Sequence, residues 1–168
     1  MERRQLAKTG MLRSAHMLGN EEEIIFTATD LLADTKLAPE LSNEAHYYRA
    51  KAYLDAGKTD GAMEDLKILA KDTRNVYGAE AKYKVAQIYF DGGQTDKAEQ
   101  EVLNYIEVST PHTYWLARSF VLLADVYMKS GRNLDAKQYL LSLKQNYQAD
   151  DDIAGMIESR LEKLKTEN

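Results

Sequence analysis

Four residue types return three times along this chain at one spacing, and that return restricts the fold more than any other feature. Ala50, Tyr53, Gly57 and Ala62 recur 36 positions later as Ala86, Tyr89, Gly93 and Ala98. They recur again 38 positions further on as Ala124, Tyr127, Gly131 and Ala136. A unit of this length cannot bury its apolar face alone, so successive units must stack, and the chain reads as a repeat protein. The spacing within each unit is helical. Ala and Tyr sit three apart on an outgoing helix, Gly follows where a helix end needs a left-handed residue, and the second Ala opens a returning helix. The fold class is therefore all-α, built of antiparallel helix pairs.

The rest of the chain can be assigned around this frame. Leu6, Met11, Leu12, Ala15 and Leu18 suit a first amphipathic helix, weakened by Gly10. Gly19 and Asn20 form a turn, and Glu21 to Glu23 open a second helix carrying Ile24, Ile25, Ala28, Leu31 and Leu32. Residues 2–38 are thus a degenerate pair, about one residue out of frame, with Pro39 closing it in a loop and Asn43 capping the next helix. Repeats of about 43–77, 78–112 and 113–149 follow. The loop at Pro111 accounts for the longer second step. A last helix over 150–166 has Ile153, Met156, Ile157, Leu161 and Leu164 on one stripe and reads as a carboxy-terminal cap. We treat the 168 residues as one domain.

Composition excludes several function classes. The net charge of -5 lacks the basic footprint that phosphate neutralisation requires, so nucleic acid is not an expected partner. With 0 Cys there is no disulfide framework, thiolate nucleophile or cysteine metal site. The first residues, MERRQLAKTGMLRSAHMLG, are too polar for a secretory segment or a membrane span, and direct membrane insertion is not expected. Repeat pattern begins almost at once with no cap before it, which suggests a fragment of a longer protein.

The recurring residues have separate tasks. Small residues are needed where two helices of a pair come closest, since a bulky side chain there overpacks the crossing at about 1 to 3 kcal/mol. Tyr53, Tyr89 and Tyr127 are expected to supply apolar surface between pairs, and Gly57, Gly93 and Gly131 to let the chain reverse.

The frame resembles the tetratricopeptide repeat, which places a small residue, Tyr three later, Ala nine after the Tyr and an apolar residue four beyond. Here these positions read Ala50, Tyr53, Ala62, Leu66; Ala86, Tyr89, Ala98, Val102; and Ala124, Tyr127, Ala136, Leu140. The match covers roughly residues 44–147. It departs in a step longer than about 34 residues, in His46, Lys82 and Phe120 where Trp is usual, and in a closing Pro present only as Pro111. The resemblance implies an α-α superhelix of about four helix pairs, a tetratricopeptide-like solenoid plus the capping helix. The segment TPHTYWLARSFVLLADVYMKSG with LDAKQYLLSLKQNY is similar to the carboxy-terminal repeats of large tetratricopeptide proteins of Gram-negative cell envelopes. That likeness implies a periplasmic or envelope location, the cytoplasm being the alternative.

In this family the first helices of successive pairs line a concave groove. Carried over by position, the resemblance places there Glu44, Tyr47, Lys51 and Leu54; Glu80, Tyr83, Gln87 and Phe90; and Arg118, Val121, Asp125 and Met128. Such a face would hold a protein or peptide segment. Helical periodicity alone leaves each apolar member open between groove lining and packing on the neighbouring pair. The arrangement by which some members clamp a terminal carboxylate is missing. His16, His46 and His112 lie far apart without metal-ligand spacing, and Trp115 reads as a plug between the third and fourth pairs. No nucleophile system, phosphate loop, metal site or cofactor site is present in the pattern. The expectation is a non-enzymatic interaction scaffold; the alternatives are a helical accessory or spacer domain of a larger enzyme or sensor, and a self-association module.

Overall fold

A computed structural model describes residues 3–108 and 110–166. Among them the chain forms helices and no strands: α1 (Arg3–Leu18), α2 (Glu21–Leu32), α3 (Pro39–Asp55), α4 (Thr59–Leu69), α5 (Val76–Asp91), α6 (Thr95–Glu107), α7 (Thr113–Lys129), α8 (Asn133–Asn146) and α9 (Ile153–Thr166). They gather into two compact units, residues 1–72 and 73–168.

In the first unit α1 packs on α2, α2 on α3 and α3 on α4. Each pair is closed by one device. Gly19 has φ +66° and Gly57 φ +74°; Asn20 N–H donates to Ala15 O at 3.0 Å, and Lys58 N–H to Tyr53 O at 2.7 Å. A left-handed glycine followed by this six-residue closure satisfies carbonyls that the helix end would otherwise leave unpaired. Gly19 lies 38 positions before Gly57, so the first pair keeps the frame, contrary to the one-residue offset read from its side chains. What changes is the distribution of volume. Leu12 and Ile24 occupy the positions of Ala50 and Ala62, while Ala15 and Ala28 replace Tyr53 and Leu66; all of these except Tyr53 are 4% exposed or less. Large and small residues are exchanged across the crossing, which preserves the packed volume.

The start of α3 also differs from the sequence reading. Pro39 is the first residue of the helix rather than part of a loop, and Asn43 lies within it. Proline has no N–H to lose at that position and its φ is already helical. Leu41 and Ala45 are therefore drawn into the core at 7% and 0% exposure.

In the second unit α5 packs on α6 and α7, α6 on α7, α7 on α8, and α9 covers both α7 and α8. Gly93 (φ +79°) and Gly131 (φ +76°) close the two pairs. The Gln94 and Arg132 N–H groups reach Tyr89 O at 2.8 Å and Tyr127 O at 2.7 Å. Ala86, Ala98, Ala124 and Ala136 are each at most 1% exposed. The loop containing Pro111 is tied down: Thr110 Oγ1 donates to Thr73 O at 2.7 Å, and His112 Nε2 lies 2.9 Å from Arg74 O. Asp151 Oδ1 accepts from the Ile153 N–H at 2.9 Å and opens α9. Ile153, Ile157 and Leu164 then seal the end of the core at 0%, 2% and 5% exposure.

The recurring tyrosines engage their own pair, where the sequence suggested surface between pairs. The Tyr53 ring lies over Gly61 in the first turn of α4, leaving 3.1 Å for any added Cβ. The Lys97 ammonium stands 5.6 Å over Tyr89, and the Arg132 guanidinium 4.1 Å over Tyr127. Each ring thus meets the N-cap or first turn of its returning helix, by close contact or by a cation on its face.

Two glycine substitutions should move stability in opposite directions. Gly93→Ala meets no neighbouring atom, so only the left-handed backbone opposes it; urea unfolding should show a loss of about 1 kcal/mol. Gly10→Ala, in the interior of α1 with open space around it, should gain about 0.5 to 1 kcal/mol.

Candidate functional site

The expected groove residues lie in both units. On α3 of the first unit, Glu44 accepts a two-pronged bond from Arg13 of α1, at 2.6 and 2.9 Å. Tyr47, half-buried, tilts against Tyr48 at 5.8 Å, and the Lys51 ammonium stands 5.5 Å from its ring centre. Leu54 is half-buried one turn further on. Glu44, Tyr47, Lys51 and Leu54 therefore share one stripe of α3, with spacings of three and four.

In the second unit the structure divides the expected set. Tyr83 is in the core at 7% exposure and Val121 at 3%. Phe90 and Met128 are half-buried against the same core. Glu80 pairs with Lys84 at 2.8 Å. Arg118 and Gln87 are brought together through Tyr83. The Arg118 guanidinium lies 4.9 Å from the Tyr83 ring centre and 6.0 Å from that of Trp115. It donates to the hydroxyl oxygens of Tyr83 and Tyr114, each at 3.2 Å. Tyr83 in turn donates to Gln87 Oε1 at 2.9 Å, Gln87 to Asp91 Oδ1 at 2.8 Å, and Tyr114 to Asp152 Oδ1 at 3.0 Å. A line of hydrogen bonds thus runs from the end of α5, across α7, to the residue before α9. Below it Asp125 is held by Arg160 of α9 through two bonds of 2.8 and 3.0 Å.

The electrostatics follow from this geometry. Burial pushes the Tyr83 hydroxyl up, with Arg118 pulling the other way. For Arg118 burial opposes the charge, but the bonds to Tyr114 and Tyr83 outweigh it and hold the guanidinium above its ordinary range. Arg118 is charged at every working pH.

Tyr114, Asp152 and Arg160 lie outside the set of groove residues that the family resemblance implies. A signal existed: Tyr83 to Arg118 and Asp125 to Arg160 are both 35 residues apart, close to the repeat length, so partners one repeat away were the place to search. Trp115 does fill the gap between the third and fourth pairs, 5.7 Å from the Tyr83 ring and 5.0 Å, edge-on, from Tyr114.

A second polar cluster lies between helices of the first unit. Asp65 of α4, only 1% exposed, accepts from Arg49 Nε and Nη2 at 2.8 and 2.6 Å, and His46 Nδ1 lies 2.7 Å from its Oδ1. Arg49 also donates to Thr29 Oγ1 at 3.1 Å, linking α2, α3 and α4. Burial pushes the Asp65 carboxyl up, but the bonds from Arg49 and His46 win and hold it below the ordinary carboxylate value. This is a structural pin. His16 is likewise interhelical, stacked 4.1 Å from Tyr48.

Stacked helix pairs, each closed by the same glycine turn, define a helical repeat protein. Residues 44–72, spanning most of α3 and all of α4, match the family model described as Tetratricopeptide repeat. Such repeats are generally non-catalytic modules that mediate protein interactions. Two solved structures similar to the chain come from Podosopora anserina, from a protein described as a kinesin light chain with nearly identical TPR-like repeats. One is a single-residue variant (TM-score 0.60, 16% identity) and the other the parent form (0.59, 17%); each match covers 99% of this chain and 96% of that one. At these identities the likeness is one of fold. No curated protein matches the chain. No helix among the described residues is long and apolar enough to cross a membrane.

Removing the Asp65 carboxylate leaves Arg49 without its main partner, so Asp65→Asn should lower unfolding free energy by about 2 to 3 kcal/mol in urea titration. The pH dependence has a definite sign. A depressed carboxyl contributes stability above its unfolded value, near 3.9, and loses it as pH falls through the lower folded value. Wild-type stability should therefore drop below about pH 4, and Asp65→Asn should flatten that slope.

Proposed function

We propose that the face of the second unit formed by α5, α7 and the start of α9 holds a segment of a partner protein, with Arg118 as its charged anchor. One observation carries this reading: Arg118 is a half-buried cation whose described partners are neutral. Its guanidinium lies against the Tyr83 and Trp115 rings and is oriented by two tyrosine hydroxyls. No carboxylate among the described residues lies within ion-pair distance of it; Asp125, two turns along α7, is paired with Arg160. Two hydrogen bonds leave other N–H donors of the guanidinium for a ligand. A carboxylate on an incoming segment supplies the missing charge, and a bond made on a desolvated aromatic surface is stronger than one in open water. Gln87 beside it, and the half-buried edges of Phe90 and Met128, suit the polar and apolar parts of such a segment. The stripe Glu44, Tyr47, Lys51 and Leu54 on α3 offers a comparable surface in the first unit. The role is that of a non-enzymatic scaffold.

Selection from a displayed random-peptide library tests the reading. Peptides enriched on the wild type should share an acidic residue and lose about tenfold or more in affinity on Arg118→Gln, the expected scale for one charge-assisted contact. Melting should change by only a few degrees. Binders indifferent to Arg118→Gln, or no enrichment at all, would count against the site.

A further inference from the structure

Two helix faces outside these contacts complement each other. In the second unit, α8 and α9 border a groove of about 400 Å³. Leu134 and Leu141 of α8 stand over it at 70% and 45% exposure, and Leu161 of α9 lines it beside them. Its rim carries Lys137, Lys144 and Lys165. Among the lining residues the one carboxylate, Glu158, holds Lys144 at 2.6 Å, and Glu162 just outside the groove lies 3.8 Å from Lys165 in an exposed pair that exchanges at little cost. Three lysines against one glutamate leave the lining at +2 (3 − 1), on a chain whose net charge is -5. The side-chain oxygen of Asn133, at the head of α8, is buried with no hydrogen-bond partner among the described residues.

In the first unit α2 has the opposite character. Its sequence, EEEIIFTATDLL, contains four carboxylates and no basic residue. Glu22, Ile25, Phe26, Thr29 and Asp30 form one stripe along a shallow depression of about 620 Å³, bounded by Lys58. Phe26 projects from it at 69% exposure. Asp30 pairs with Lys8 at 2.9 Å, but both ends are 35% exposed or more, and such a pair exchanges at little cost.

We propose that α2 of one molecule docks into the α8/α9 groove of another, so that copies associate head to tail. Phe26 and Ile25 meet Leu134 and Leu141, and the carboxylates of Glu22 and Asp30 meet the lysine rim. The spacings fit: eight residues separate Glu22 from Asp30, about 12 Å along a helix, and seven separate Lys137 from Lys144, about 10.5 Å. Charge decides between the possible symmetries. Two α2 faces would oppose carboxylates, and two grooves would oppose lysines, so like-to-like contact is disfavoured. Contact between unlike faces is heterologous, and it grows into a chain or closes into a ring. This contact is independent of the Arg118 face.

Sedimentation equilibrium of the full chain, with two single-face variants, tests it. The wild type should exceed monomer mass as concentration rises at low salt, and fall back toward monomer in about 1 M salt, where screening is short-ranged. Phe26→Asp and Leu141→Glu, both at exposed positions, should each weaken association at least tenfold while leaving thermal unfolding unchanged. Mixed one to one, the two variants should form a dimer that grows no further, because each keeps one intact face. A wild type that stays monomeric at all concentrations overturns the proposal. So does association that survives both substitutions, or a mixture that remains monomeric where the wild type associates.

Discussion

The close crossing of the two helices inside each pair is the contact on which the rest of both units depends. At Ala50 and Ala62, Ala86 and Ala98, and Ala124 and Ala136, both members are almost fully buried. Alanine itself contributes little by burial. Its effect is to let the backbones approach, so that Leu66, Val102, Tyr105 and Leu140 lose nearly all their exposure, each worth about 1.5 to 3 kcal/mol. The left-handed glycine two residues before each returning helix makes this approach possible, because it reverses the chain while pairing the last carbonyls of the outgoing helix. Where the first pair abandons the alanines it exchanges large and small residues across the crossing, keeping Leu12 and Ile24 opposite Ala15 and Ala28.

Once the helices pack, polar side chains find partners either within their own pair or about one repeat away. Asp65 with Arg49, Asp125 with Arg160, and Glu99 with Arg132 each join neighbouring helices. Even the 9% exposed Lys82 is satisfied, by Glu101 at 2.7 Å and Asn104 at 2.6 Å. Against this pattern Arg118 stands apart. Arg13, Arg49, Arg132 and Arg160 all meet carboxylates, whereas Arg118 rests on tyrosine hydroxyls and aromatic faces. A half-buried charge left with neutral partners carries a desolvation cost that a ligand carboxylate can offset. The same logic, applied to the outer faces of α2 and α8, separates one acidic apolar surface from one basic apolar surface.

Much of this organisation is legible in the residues, and the exceptions have physical causes. Gly57, Gly93 and Gly131 mark the turns because few other residues tolerate a positive φ. The start of α3 misleads, since Pro39 looks like a stop signal and is in fact a favourable first helical residue. The offset of the first pair misleads too, because side-chain periodicity follows volume, and volume has been exchanged across that crossing. Among the expected groove residues, Lys51, Gln87 and Arg118 keep polar groups at the surface. Tyr83 goes inward because Trp115 and Arg118 of the next pair close over it, and that neighbour lies 35 residues away in a register that local periodicity does not encode.

The sequence by itself determined the class of protein, the helix pairs, the turns and the small residues at each crossing, all of which are local or repeat with a fixed step. Only the tertiary structure decided which side of each outgoing helix meets the next pair. It also decided which charges pair across repeats, and that Arg118 is left with aromatic and hydroxyl neighbours. The reason is geometric. A helix presents every side of itself in the sequence, and the sides are told apart only when a neighbour comes within a few ångströms and removes one of them from water.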